Sequence, residues 1–213
     1  MIGSTKWLID TENHFGGYHN DVPRNKISEH DPRKKMATLG MSGGDRMQHH
    51  GYAQYYSRYL TPFVSRRHEP LVIVEVGILK GTGIAIWSTL FPNAEIFGLD
   101  IDLLNFQNNR DFLETQGAFK TSTLKLHEFD QFKNNKEYIK NILNGKKIDI
   151  IIDDGFHSDD TILNTLSDTV THLNDSFVYF IEDNKTVYHK VKDTITDANV
   201  YKHKQLTVIT KNV

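Results

Sequence analysis

Acids recur in this sequence where apolar runs break off. Glu75 lies at the end of the run that starts at Leu71, and Asp100 ends the run Ile96 to Leu99. Asp130 closes an alternating stretch, Asp153 and Asp154 follow Ile148 to Ile152, and Glu182 and Asp183 follow Phe177 to Ile181. If the runs are strands of one open α/β sheet, all seven carboxylates stand at carboxyl ends, the side on which such sheets bind ligands. Carboxylates gathered in one crevice repel one another unless cations are present. A chain without cysteine can offer a metal oxygen donors but no thiolate, which favours a hard ion, Mg2+ ahead of Mn2+ or Ca2+. Asp154, Glu182 and Asp183 form the set expected to converge on one ion, because their two strands should be neighbours.

The elements that must position these acids start from Leu71 to Gly83, where an apolar run opens into a turn with Gly77, Gly81 and Gly83. The pattern predicts a buried parallel strand, a loop, and a helix capped by Thr82 and stopped at Pro92. The loop lacks both the Gly-x-x-x-x-Gly-Lys-Ser/Thr phosphate cradle and the Gly-x-Gly-x-x-Gly dinucleotide spacing. Glu75 beside it would repel a pyrophosphate and suits a cationic ligand such as a sulfonium carrying an amino group. Asp100, about 20 residues past the loop at the end of the second strand, can accept hydrogen bonds from both hydroxyls of a ribose.

On Glu75-x-Gly77 with Gly81, Gly83 and Asp100, the chain resembles the class I S-adenosylmethionine-dependent methyltransferases. Gly44-Asp45-Arg46 followed by His50 and Tyr52, and Asp153-Asp154-Gly155-Phe156-His157 with the later Glu182-Asp183, are similar to segments of the metal-dependent macrolide and sugar O-methyltransferases. The resemblance implies that Asp45, His50 and Tyr52 lie at the methionine end of the cofactor and that Asp130-Gln131 contacts the adenine. Asp153 is counted with the cofactor residues. By the same resemblance Asp154, Glu182 and Asp183 hold Mg2+, and His157 is the base. Arg46 replaces the lysine usual in the first segment, and Phe156 stands where a small residue is frequent. Duller roles remain open: Asp153 and Asp154 as helix-capping acids, His157 as a structural histidine, Glu182-Asp183 as solvated loop charge.

The expected fold is a Rossmann-like, doubly wound, seven-stranded sheet, mostly parallel with an antiparallel terminal strand. Residues 1–42 read as an N-terminal loop extension or lid, punctuated by Gly16-Gly17, Pro23, Asp31-Pro32 and Arg33-Lys34-Lys35. Residues 43–213 read as the methyltransferase domain. A helix from Ala53 carries Tyr52, Tyr55, Tyr56 and Tyr59 on one face, expected to pack on the sheet. Further helices are expected over 102–115, 132–143 and 187–195. Another starts at a Ser158 cap, with Leu163, Leu166, Val170 and Leu173 as its buried stripe. Strands at 199–203 and 206–210 should finish the sheet as its antiparallel edge.

The 213 residues suffice for one such domain. Lys and Arg number 25 against 27 Asp and Glu, a formal charge of −2, which argues against a nucleic-acid grip by bulk electrostatics while allowing a local basic patch. No apolar run has membrane-spanning length and the start lacks a signal-peptide core, so no membrane partner and a cytoplasmic location are expected. The expected activity is methyl transfer from S-adenosylmethionine to a hydroxyl, of a sugar in a glycoside, polysaccharide or natural product. The alternatives are a catechol-type O-methyltransferase acting on an aromatic diol, or a non-catalytic S-adenosylmethionine or nucleotide binder. The acceptor is then a small molecule or saccharide, and the N-terminal extension could also mediate a homo-oligomer.

Overall fold

The computed structural model describes residues 1–19, 40–41 and 44–213. Pro23, Asp31-Pro32 and Arg33-Lys34-Lys35, read from the sequence as loop, lie outside the described residues. The chain begins with helix α1 (Thr5–His14), followed by the short antiparallel strands β1 (Tyr18–His19) and β2 (Gly40–Met41) and helix α2 (Ala53–Val64). Alternation then sets in: β3 (Val72–Val76), α3 (Thr82–Leu90), β4 (Glu95–Asp100), α4 (Leu104–Thr115), β5 (Thr123–Glu128), α5 (Lys136–Leu143) and β6 (Ile148–Asp153). The chain finishes with α6 (Asp159–Thr169), β7 (Leu173–Ile181), α7 (Val187–Thr194), β8 (Asn199–His203) and β9 (Leu206–Lys211).

Seven strands form one sheet in the order β5-β4-β3-β6-β7-β9-β8. The first five are parallel, β9 runs antiparallel to β7, and β8 pairs with β9 as the outer edge. The doubly wound architecture with an antiparallel end is therefore the one expected. Side chains alternate between sheet faces. Ile73, Ile150, Ile152, Val178 and Phe180 face a core completed by α1 to α4, whereas Val72, Val74, Val76, Ile151, Tyr179 and Ile181 face α5 to α7. Glu75, two residues past Ile73, and Glu182, two past Phe180, fall by this alternation on the α1 to α4 face.

Register makes the site. Val76 pairs with Asp153 and Asp153 with Ile181, so the next residues, Gly77, Asp154 and Glu182, step off the sheet in one row. The ladder continues into that row through Asp154 N–H to Val76 O (2.9 Å) and Glu182 N–H to Asp153 O (2.9 Å).

Several local expectations are corrected. The segment read as loop contains α1, capped by Ser4, whose Oγ accepts from Trp7 N–H. Its buried face includes Thr11 and Glu12 beside Leu8, so apolar periodicity could not reveal it. Thr82 is not the cap of α3: Gly81 is, with φ +82°, and the Thr82 hydroxyl donates to Phe15 O. The helix expected from Phe132 starts only at Lys136, because Asp130 and Asn135 hold the intervening residues in turns. In α6 the buried residues are Ile162 and Leu166 with Thr161, Thr165, Asp168 and Thr169; Val170 is exposed and Leu173 already belongs to β7.

Candidate active site

The loop between β3 and α3 is shaped by contacts that admit no side chain. Gly77 has φ +83°, and a Cβ there would sit 2.1 Å from the carbonyl oxygen of Asp154. Glycine is required on both counts. At Gly83 a Cβ would meet the Glu75 carboxylate at 2.1 Å and the Arg46 guanidinium at 2.5 Å. Leu79 N–H donates to Asp100 Oδ2 (2.9 Å) and Asp102 N–H to Oδ1 (3.0 Å), so the acid at the end of β4 holds the loop directly. Burial raises the Asp100 pKa. A crevice with about 380 Å³ of empty space, open to solvent, lies between this loop and residues 44–46. Glu12, Asp45, Arg46, Glu75, Lys80 and Asp154 are among its walls.

Arg46 is the centre of the acid cluster. Its Nη2 lies 3.0 Å from Glu75 Oε1 and 3.0 Å from Asp154 Oδ2, and its Nε lies 2.6 Å from Glu182 Oε1. Three neighbouring strands thus contribute one acid each to a single guanidinium, which is itself buried and faces the rings of Tyr56 and Trp87. The Trp87 indole N–H also donates to Glu75, and the Tyr56 hydroxyl to Glu182. Sequence reasoning assigned the charge of these acids to a sulfonium and a metal; the structure meets much of it with Arg46. Burial pushes the Glu182 carboxyl up to about 7, and burial with the Glu182 charge raises Asp154 well above the carboxylate range.

A second, more open group lies beside it. Asp154, His157 and Asp183 each offer one donor atom, all within 4.8 Å of one another. Their side chains are 24%, 33% and 23% exposed, whereas that of Glu182 is 1% exposed. His157 Nε2 stands 3.9 Å from Asp154 Oδ1, and Nδ1 is buried with no hydrogen-bond partner. Burial lowers the His157 pKa, so the imidazole is neutral at pH 7. Asp183 accepts from the Tyr52 hydroxyl (2.6 Å) and from Gln205 Nε2 (2.9 Å). His50 Nε2 lies 3.4 Å from both Asp45 and Asp183, and contact with Asp45 raises its pKa. The Asp45–Tyr52 segment is therefore brought to Asp183 as well as to the crevice.

The structure brings Asp45, Glu75, Gly77, Gly83, Asp154, His157, Glu182 and Asp183 together around the crevice and the adjoining pocket, with Asp100 and Gly81 at the far end of the loop. Gln131 and Asp153 it turns elsewhere. The buried Gln131 amide donates to Asp153 Oδ1 (2.9 Å) and Thr165 Oγ1 (2.8 Å) and accepts from Phe156 N–H (2.8 Å). Asp153 is 1% exposed on the opposite sheet face, with its pKa pushed up to about 6 by burial. Both side chains brace the β6 loop from below. Asp130 Oδ1 accepts from Phe132 N–H (3.0 Å) and Oδ2 pairs with Lys133 (3.1 Å), the turn-stabilising role of an acid at a strand end.

Sequence reasoning missed Glu12, Tyr56, Trp87 and Gln205, and saw Arg46 only as a substituted lysine. Glu12 accepts from Met47 N–H (2.8 Å) and Gln48 N–H (3.0 Å), latching the Arg46 segment to α1. The one available signal was Arg46 itself, a cation in a glycine-containing turn of a chain whose parallel strands all end at or beside acids.

No family model matches the chain. Over 147 residues, 65% of its length, the chain is 22% identical to mycinamicin VI 2''-O-methyltransferase of Micromonospora griseorubida, and the match spans 33% of that protein. The structure of the MycE methyltransferase from the mycinamycin biosynthetic pathway, in complex with Mg and SAH, superposes with a TM-score of 0.58 at 17% identity. That superposition covers 75% of this chain and 49% of the other. The O-methyltransferase TomG of Streptomyces achromogenes, in complex with SAM, gives 0.53 at 12% identity over 72% and 78% of the two chains. The chain thus spans about a third to a half of the length of these mycinamycin-pathway relatives. Strand order, glycine loop, the acid closing the second strand of the sheet and these likenesses together show that the chain has the class I S-adenosylmethionine-dependent methyltransferase fold.

Proposed function

We propose that this chain is an S-adenosylmethionine-dependent O-methyltransferase that methylates a sugar hydroxyl of a small molecule or saccharide with the help of a divalent ion. The observation that carries the reading is the double position of Asp154. It lines the glycine-loop crevice and also belongs to the Asp154, His157 and Asp183 pocket. A donor in the crevice and a hydroxyl in the pocket would meet at this residue, the juxtaposition on which in-line transfer depends.

Groups in the crevice wall and beside it suit the cofactor, with Asp100 bonded to Leu79 of that wall. Asp100 has carboxylate lone pairs beyond those used by Leu79 and Asp102, and these suit ribose hydroxyls. Asp45 is also in the wall, where an ammonium group would be welcome. Bound there, the cofactor supplies a methyl group on a positively charged sulfur. The pocket residues orient the acceptor hydroxyl and receive its proton, which an alcohol must lose as it is methylated. A divalent ion in the pocket would lower the pKa of that hydroxyl. Residues 1–42 are the proposed cover of this site and 43–213 the catalytic domain. Among the described residues no helix is long and apolar enough to cross a membrane.

Incubation with methyl-labelled S-adenosylmethionine and a panel of glycosides with vicinal diols, catechols and simple alcohols tests the proposal. Label should appear on a sugar oxygen, with release of S-adenosylhomocysteine. Label on catechols alone would replace the sugar reading by the catechol-type one, and cofactor binding without transfer to any acceptor would reduce the chain to a binder.

A further inference from the structure

We propose that Gln131 is a positioning residue for the reaction: it holds the turn from Asp154 to His157 in the shape that presents both side chains to the acceptor. The kinetic consequence rests on the proposed methyl transfer; the loop geometry does not.

Gln131 follows β5, and two strands lie between β5 and β6 in the sheet. Its side chain nevertheless reaches the end of β6. The buried amide donates through Nε2 to Asp153 Oδ1 (2.9 Å) and to Thr165 Oγ1 of α6 (2.8 Å). Its Oε1 accepts from Phe156 N–H (2.8 Å), and Asp153 Oδ1 also takes Gly155 N–H (3.4 Å). Two successive backbone donors of the turn are thus satisfied by one linked pair of side chains. Shape adds to the hydrogen bonds. A Cβ at Gly155 would stand 2.0 Å from Gln131 Oε1, so the turn is built around this carbonyl. The Gln131 backbone is itself fixed to α6, where Asn164 Nδ2 donates to its carbonyl oxygen (3.1 Å).

The turn so held is one that would not keep its shape unaided. His157 has φ +65°, a conformation uncommon outside glycine that persists only where the surroundings enforce it. Enforcement comes from both sides. Gln131 anchors residues 153 and 156 ahead of His157, and Asn184 Nδ2 donates to His157 O (2.9 Å) behind it. Asp154 lies between the two Gln131 anchors. Removing the amide leaves Phe156 N–H and Asp153 Oδ1 short of a partner, so the turn relaxes and carries Asp154 and His157 with it. Gln131 is absent from the crevice wall, so cofactor affinity should not follow.

The test is Gln131→Met, which keeps the length of the side chain and removes its hydrogen bonds, with Asn174→Ala as control. Asn174 Nδ2 donates to Asp149 Oδ1 (3.0 Å) near the amino ends of β6 and β7, so its loss should lower Tm and leave the site alone. In the full chain, calorimetry gives S-adenosylmethionine affinity and the number of cofactor-binding sites, kinetics gives kcat per such site, and NMR follows histidine labelled in its ring nitrogens. The His157 signals are assigned by their loss in His157→Gln. Gln131→Met should lower kcat per site about 10- to 100-fold, the cost of a misplacement of about an ångström, with cofactor affinity unchanged. The His157 signals should shift in Gln131→Met and stay in place in Asn174→Ala. Gly155→Ala, which drives a Cβ into Gln131 Oε1, should reproduce the loss, and the double variant should lose little more than either single one, because both break the same clamp. A lowered Tm with wild-type kcat per site, or unmoved His157 signals, would overturn the proposal and leave Gln131 merely structural. If Gln131→Met does not fold, Gly155→Ala and Gln131→Glu decide by the same readings. A wild type that binds cofactor and methylates no acceptor would overturn the methyltransferase reading instead, and the His157 signals alone then judge Gln131.

Discussion

Arg46→Met removes the charge that three strands share while keeping most of the side-chain stem. The guanidinium has carboxylate oxygens at 3.0, 3.0 and 2.6 Å and is buried between Tyr56 and Trp87. Breaking a buried ion pair by deleting one partner costs about 3–5 kcal/mol, because the other charge is left without compensation. An independent route gives a similar figure. If one carboxyl escapes by taking up a proton, holding a group of ordinary pKa about 4.3 neutral at pH 7 costs about 1.36 × 2.7, or ~3.7 kcal/mol. The sign follows from linkage: above about pH 4.3 the folded variant then binds one proton more than folded wild type while the unfolded forms bind alike, so its stability relative to wild type falls as pH rises through that window. Urea denaturation followed by tryptophan fluorescence, between pH 4.5 and 7, measures this. The variant should lose about 3–5 kcal/mol relative to wild type at pH 7 and much less near pH 4.5. A loss below about 1 kcal/mol at pH 7, the level of a surface pair, or a loss that does not shrink toward acid, would refute the central role of Arg46.

Asp100→Asn should weaken S-adenosylmethionine binding by about 1.5–3 kcal/mol, the worth of a charge-assisted hydrogen bond, read by calorimetry as roughly 10- to 100-fold; unchanged affinity would remove Asp100 from the ribose site. Gly77→Ala forces a left-handed alanine with its Cβ 2.1 Å from Asp154 O, and thermal denaturation should show a Tm lower by at least about 4 °C, with no shift expected only if the β6 loop can move away. Exhaustive chelation should leave cofactor affinity intact, since Asp100 lies away from the metal pocket, and abolish turnover until Mn2+ or Mg2+ is restored. Full turnover in EDTA would remove the ion from the reaction.

The sequence by itself determined the sheet and the side on which chemistry happens. Period-two burial and glycine punctuation are local signals, so β3, β4, β6 and β7 and the acids closing them were legible, as was the Ser158 cap of α6. The sequence reading gathered Glu75, Asp153 and Glu182 in one crevice and counted Asp153 with the cofactor residues; the alternation of the strands in the folded sheet puts Asp153 on the face opposite Glu75 and Glu182. What only the tertiary structure decided is which charges meet. Arg46 reaches acids 29 and 108 residues away, and that choice depends on the strand order and register that line up Gly77, Asp154 and Glu182. Gln131 looked like a ligand contact because it follows a strand end, yet it turns beneath the sheet to brace the β6 loop, bonding partners 22 and 34 residues on. Glu12 sat in a stretch with no readable period, since a helix whose buried face is partly polar leaves no apolar stripe. Local sequence encodes which face a side chain takes; the pairing of a buried cation with its acids is a long-range choice, made when desolvation leaves each charge only the partners that packing brings within about 3 Å.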